Sequence, residues 1–182
     1  MVDARTIAKS TVPDLTRAIS RPRLLQRVSA VDSARVILIT GQAAQGKSTL
    51  AAEIVRQTGP AVAWMHLDPP DSDPVNFFLL LVHAVRASRP GLNVSAYLQR
   101  PSIALGKQAG RDRVAELTEV FIADVVAQAP IRIVIDGIDR IGDHDECLVL
   151  VHTILERIKP PSCLILISRT IPKLKLESLR VR

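Results

Sequence analysis

The sequence predicts an α/β fold in three layers, a parallel sheet with helices on both faces. Three observations carry this. Short apolar runs alternate with longer stretches of helical spacing, the pattern of repeated strand–helix units. Apolar residues make up 47% of the chain and aromatics only 3%, so the core is built from Ile, Val, Leu and Ala, as in strands covered on both faces. Between the first apolar run and the first helix lies Gly41-Gln42-Ala43-Ala44-Gln45-Gly46-Lys47-Ser48, which fits the pattern G-x-x-x-x-G-K-[ST].

The elements follow in order. Residues 1–20 are polar and mixed, and Pro13 breaks any long helix. Pro22 opens a short helix in which Leu24, Leu25 and Val28 pack inward. Arg35 to Thr40 reads as a buried strand, and Thr49 to Arg56 as the helix after the glycine loop, ended by Gly59-Pro60. Val62 to Leu67 is a second strand. It runs into an acidic, proline-rich loop, Asp68 to Pro74, whose spacing is not that of an EF-hand. Val75 to Ser88 is a strongly apolar helix, and its His83 reads as a packed or rim histidine. Residues 89–112 are weakly patterned and read as a long loop or irregular helix. An amphipathic helix over 113–128 stops at Pro130. Ile131 to Asp136 is a third strand, 145–158 another helix, and Cys163 to Ser168 a fourth strand that finishes in Ser168-Arg169-Thr170.

The glycine loop is shaped for a polyphosphate. Gly41 and Gly46 carry no Cβ, so the backbone can turn sharply and approach phosphate oxygens. Amides of residues 41–49 then point into one concavity at the positive end of a helix. Lys47 would reach the β- and γ-phosphates, and the Ser48 hydroxyl would sit on Mg²⁺. Downstream of such a loop, an apolar strand ending in Asp136 is a Walker B pattern, with the carboxylate holding the same Mg²⁺. Asp139 could polarise an attacking water or cap the next segment. Arg169, at the tip of a buried strand, has a γ-phosphate as its natural partner; the plainer reading is a surface arginine.

Composition excludes several classes. There is no apolar run of membrane length, and residues 1–10 are too polar for a signal peptide. Cys147 and Cys163 match no metal or redox spacing and read as buried thiols in a reducing cytosol. The net charge of +6 comes from residues 1–60 and 169–182, while 61–168 is net acidic. The basic residues form no nucleic-acid motif and lack interleaved aromatics, so direct DNA binding by this segment is not expected. No Asn-Lys-x-Asp motif is present, which favours adenine over guanine.

The string of motifs resembles the STAND class of signal-transduction ATPases, in particular the MalT-like branch that includes large LuxR-type transcriptional regulators. Pro22-Arg23-Leu24-Leu25, Ala63-Trp64-Met65-His66-Leu67-Asp68, Asp73-Pro74-Val75-Asn76-Phe77-Phe78 and Ser168-Arg169 all match it, beside the two Walker motifs. The resemblance departs at Gly137, where that branch carries a second acid. Asp136-Gly137-Ile138-Asp139 is instead similar to the NACHT branch. The resemblance implies a P-loop NTPase of the ASCE type over residues 1–182, one domain, with 1–30 and its Arg23 against the nucleotide. It implies strand 163–168 between 35–40 and 131–136, strand 62–67 outside 131–136, and a fifth strand short or missing. It further implies ATP and Mg²⁺ as ligands, a cytoplasmic switch of low turnover and nucleotide-dependent self-association. The winged-helix, repeat and DNA-binding domains that follow in the family are expected on a longer chain. Two rivals remain. One is a small-molecule kinase with Asp68 as base and Arg111 and Arg113 as lid; the other is a nucleic-acid-binding module suggested by the pI of about 9.9.

Overall fold

Four parallel strands organise the chain: β1 Val36–Thr40, β2 Ala61–His66, β3 Ile131–Asp136 and β4 Cys163–Ser168. The computed structural model describes residues 4–29, 34–57, 59, 61–98, 109–142 and 145–174. The strand order is β1-β4-β3-β2, as the sequence implied, with β4 between β1 and β3 and β2 outside β3. Among the described residues the sheet has four strands; the approach to a fifth, 176–182, lies outside them.

The helices are α1 Ala4–Lys9, α2 Pro22–Ser29, α3 Lys47–Arg56, α4 Pro74–Ser88, α5 Ser95–Leu98, α6 Ala109–Gln128 and α7 Asp145–Arg157. Because side chains alternate along a strand, each strand feeds two cores. On one face Ile133, Ile135, Leu164 and Leu166 pack with Phe78 and Leu81 of α4, Phe121 of α6 and Val151 of α7. On the other face Trp64, Val134, Ile165 and Ile167 pack with Ala51, Ile54 and Val55 of α3 and Leu25 of α2. All six residues of β4 are buried, which its apolar run requires. No helix among the described residues is long and apolar enough to cross a membrane.

The acidic loop turns out to be a set of helix caps. Asp73 accepts from the amides of Val75 and Asn76 and starts α4, with Pro74 in its first turn. Asp68 and Asp71 form a capping box around the 3-10 turn Pro69–Ser72.

Two elements differ from expectation. Residues 4–9 form α1, which buries none of its own residues and is fastened by Lys9, 2.6 Å from Asp71. The helix expected over 113–128 begins at Ala109, and Ser95–Leu98 forms a helical turn within the stretch read as a long loop or irregular helix; residues 99–108 lie outside the described set. Arg89 then ties the end of α4 to the end of α6. Its guanidinium donates to the carbonyls of Val125, Ala129 and Pro130 at 2.6–2.7 Å.

Candidate functional site

In a parallel sheet all strands end on one edge, and ligands gather there. The register brings four tips abreast. Thr40 pairs with Ser168, Ile167 with Asp136, and Asp136 with His66. The glycine loop leaves β1, Asp136 ends β3, Arg169 follows β4, and Asp68 lies two residues past β2.

The loop turns as its glycines allow. Gly46 has φ +73°, in the left-handed region, and is the N-cap of α3. A Cβ there would lie 2.8 Å from the Arg21 guanidinium. Ala44 also takes a positive φ of 60°, a small cost that keeps the loop tight. The Gln42 amide donates to the Gln45 side-chain carbonyl at 2.8 Å, and the Lys47 ammonium donates to the Gln42 carbonyl at 2.7 Å. One loop amide thus already holds an oxygen acceptor. Ser48 and Thr49 follow in the first turn of α3, half-buried.

Beside the loop lies a cavity of about 290 Å³, at the small end of ligand sites, roughly 300–1,000 Å³. Leu24, Ile39 and Leu50 form its apolar wall, and Arg21, Gln45, Lys47 and Thr40 its polar one. The segment expected against the ligand is therefore adjacent to the loop, but Arg21 rather than Arg23 lines the cavity. The reason is helical geometry. Leu24 and Leu25 turn inward on α2, which leaves Arg23 on the exposed side. Arg21 precedes the helix, its carbonyl accepting from the amides of Leu24 and Leu25.

Across the sheet edge, Asp136 is 7% exposed. Its Oδ2 lies 3.4 Å from His66 Nδ1. His66 Nε2 lies 3.0 Å from Arg140, whose same nitrogen reaches the Leu67 carbonyl at 3.1 Å and Asp68 Oδ1 at 3.0 Å. Asp68 is further flanked by Lys9 at 3.4 Å and Arg5 at 3.5 Å. Burial pushes the Asp68 carboxyl up, but Lys9 and Arg5 more than offset this and hold it below the usual carboxylate range. Asp139 accepts the Arg169 backbone N–H at 3.0 Å and lies 3.6 Å from its guanidinium, so it braces the β4 tip. The structure therefore gathers Lys47, Ser48, Asp136, Asp139 and Arg169 on one edge. Arg113 is exposed and pairs with Glu116 at 3.1 Å, within its own helix; the Arg111 side chain lies outside the described residues.

The sequence reading missed Arg140, His66, Lys9 and Arg21. Strand alternation offered one clue: with β2 beside β3, His66 and Asp136 fall in register.

The fold and the loop at its carboxyl edge define a three-layer P-loop NTPase domain. The family model described as Nephrocystin 3, N-terminal, matches residues 18–169, and the chain belongs to that family. It is also similar to the HTH-type transcriptional regulator MalT of Yersinia enterocolitica, 29% identical over 92% of this chain and 18% of that protein. MalT of Klebsiella pneumoniae is 25% identical over the same shares. The serine/threonine-protein kinase PknK of Mycobacterium tuberculosis is 34% identical over 69% of this chain and 11% of PknK. These matches support a STAND-type ATPase family. The chain spans less than a fifth of the length of these relatives.

Proposed function

We propose that the chain is the ATP-binding, slowly hydrolysing switch module of a signal-transduction ATPase of the MalT-like branch, part of a longer cytoplasmic transcriptional regulator. The observation that carries this reading is convergence. The Gly41–Ser48 loop and Asp136 come from strands with only β4 between them, and Arg169 leaves that intervening strand on the same edge.

The donor set fits the implied ligands. A backbone cradle with glycines at 41 and 46 suits phosphate oxygens, and Ser48 and Asp136 are hard oxygen donors of the kind Mg²⁺ takes. Amides of Gly41 through Thr49 and the Lys47 ammonium would hold the β- and γ-phosphates. The apolar wall at Leu24, Ile39 and Leu50 would face the base, with Arg21 over the start of α3. When bound, Mg²⁺ would supply charge neutralisation between the phosphates. Arg169 would read the γ-phosphate, and Asp139 would hold Arg169 in place. Asp139 is engaged with Arg169, and Gly137 stands where the MalT-like branch has an acid, which supports slow turnover. In this the segment resembles the NACHT branch. In such switches the nucleotide stabilises one arrangement of domains, and hydrolysis releases it.

The kinase alternative needs Asp68 as a base. Its lowered pKa and three cationic neighbours make it a poor one. The test is calorimetric titration with ATP, ADP and GTP, with and without Mg²⁺, of wild type and Asp136→Asn. The reading expects adenine preference and a Mg²⁺-dependent gain that Asp136→Asn removes. Equal, Mg²⁺-independent affinities would overturn it.

A further inference from the structure

We propose that His66 is a positioning residue for the Walker B carboxylate, locked in its role by Arg140. The inference rests on the Mg-nucleotide reading above and adds a residue that reading does not use.

The chemistry follows from two contacts. Arg140 has only donors, so a lone pair on His66 Nε2 is the natural complement of the nitrogen it faces across 3.0 Å, which shares its two hydrogens with the Leu67 carbonyl and Asp68 Oδ1. A neutral imidazole with a bare Nε2 carries its proton on Nδ1. That proton faces Asp136 Oδ2 across 3.4 Å. In that tautomer His66 donates to the carboxylate. At 3.4 Å the bond is long, so its contribution is to restrict rotation of the carboxylate rather than to bind it strongly.

Arg140 is itself held. It donates to the Leu67 carbonyl and to Asp68, which Lys9 and Arg5 flank on the other side. It also needs room. Gly137, directly after Asp136, has φ +88°, and a Cβ there would lie 3.2 Å from Arg140 Cδ and 3.3 Å from its Nε. A side chain at this point would press on the arginine by a few tenths of an ångström, so glycine leaves it free to lie back towards β2. Gly137, Arg140 and His66 thus form one device, in which the bare position admits the arginine, the arginine fixes the tautomer, and the imidazole orients Asp136. Residues that orient a metal ligand cost about 10–100-fold in metal affinity when removed.

Two measurements test this. The first uses wild-type protein labelled with ¹⁵N-histidine, and long-range proton–nitrogen NMR reads which ring nitrogen of His66 carries hydrogen. The expected result is protonated Nδ1 and bare Nε2; an Nε2–H tautomer or a doubly protonated ring overturns the proposal, whatever the protein binds. The second compares ATP affinity with Mg²⁺ and in EDTA for wild type, His66→Ala, His66→Asn and Gly137→Ala. His66→Ala should cut the Mg²⁺-dependent gain by about tenfold, the low end of that range, and leave affinity in EDTA unchanged. His66→Asn, which keeps a donor near the Nδ1 position, should restore most of the gain, and Gly137→Ala should resemble His66→Ala. Equal losses with and without Mg²⁺, or no rescue by asparagine, overturn the proposal. A wild type that binds no nucleotide in either condition overturns the nucleotide reading and this proposal with it, while the NMR result still reports the tautomer.

Discussion

Asp139→Ala separates bracing from catalysis. Asp139 accepts the Arg169 backbone N–H at 3.0 Å, and its side chain is only 17% exposed. A hydrogen bond to a charged acceptor contributes about 1.5–3 kcal/mol. The contact to the Arg169 guanidinium is 3.6 Å long with that side chain 55% exposed, so screening leaves it about 0.5 kcal/mol or less. The variant should therefore lose roughly 2 kcal/mol, which on a domain of this size lowers Tm by about 4–8 °C. Asp139→Asn keeps a neutral acceptor and should lose about half as much. Thermal unfolding followed by circular dichroism reads both, with phosphate release measured on the same samples. Preference for ATP over ADP should fall along with stability, because Arg169 is loosened. An unchanged Tm together with abolished turnover would refute this reasoning and make Asp139 the water-positioning acid.

Three further outcomes follow from the same geometry. Gln45→Ala frees the Gln42 amide from its 2.8 Å bond, and since one such bond is worth about 1 kcal/mol, Mg-ATP should bind up to about fivefold tighter in a direct titration. Trp64→Ala removes a side chain only 1% exposed between β2 and α3, and denaturant unfolding should show a loss of about 3–5 kcal/mol. Asp68 has its folded pKa depressed below 3.8, so its contribution is complete above that value and is lost as pH falls through the lower folded one. Asp68→Asn should accordingly flatten the acid end of the stability–pH curve, below about pH 4, relative to wild type.

The sheet was legible because its signals are local. Each of the four strands is a short, mostly apolar run between turn signals, and the observed bounds fall within a residue of the expected ones. The glycine loop and Asp136 were placed on one sheet edge for the same reason, since each sits at the carboxyl end of such a run. What the sequence hid depends on distance along the chain. α1 has no buried face to betray it and stands on ion pairs from Lys9 to acids some sixty residues away. Arg140 looks like a solvated charge after a strand, yet its acceptors lie 72 to 74 residues earlier. Arg23 drew attention because it sits within a recognisable run; it lies on the exposed side of α2, and Arg21, just before that helix, lines the cavity. Asp73 read as a loop acid because a cap is distinguished from a ligand only by the amides it faces.

The most direct measurement is a titration of wild type and Lys47→Ala with Mg-ATP, followed by fluorescence or heat. Lys47 carries the ammonium beside the loop amides, 2.7 Å from the Gln42 carbonyl. The account predicts saturable binding by wild type and at least about a thirtyfold loss in the variant, from removal of roughly 2 kcal/mol or more of charge-assisted bonding, with folding unchanged. Equal affinity in the two proteins would contradict it.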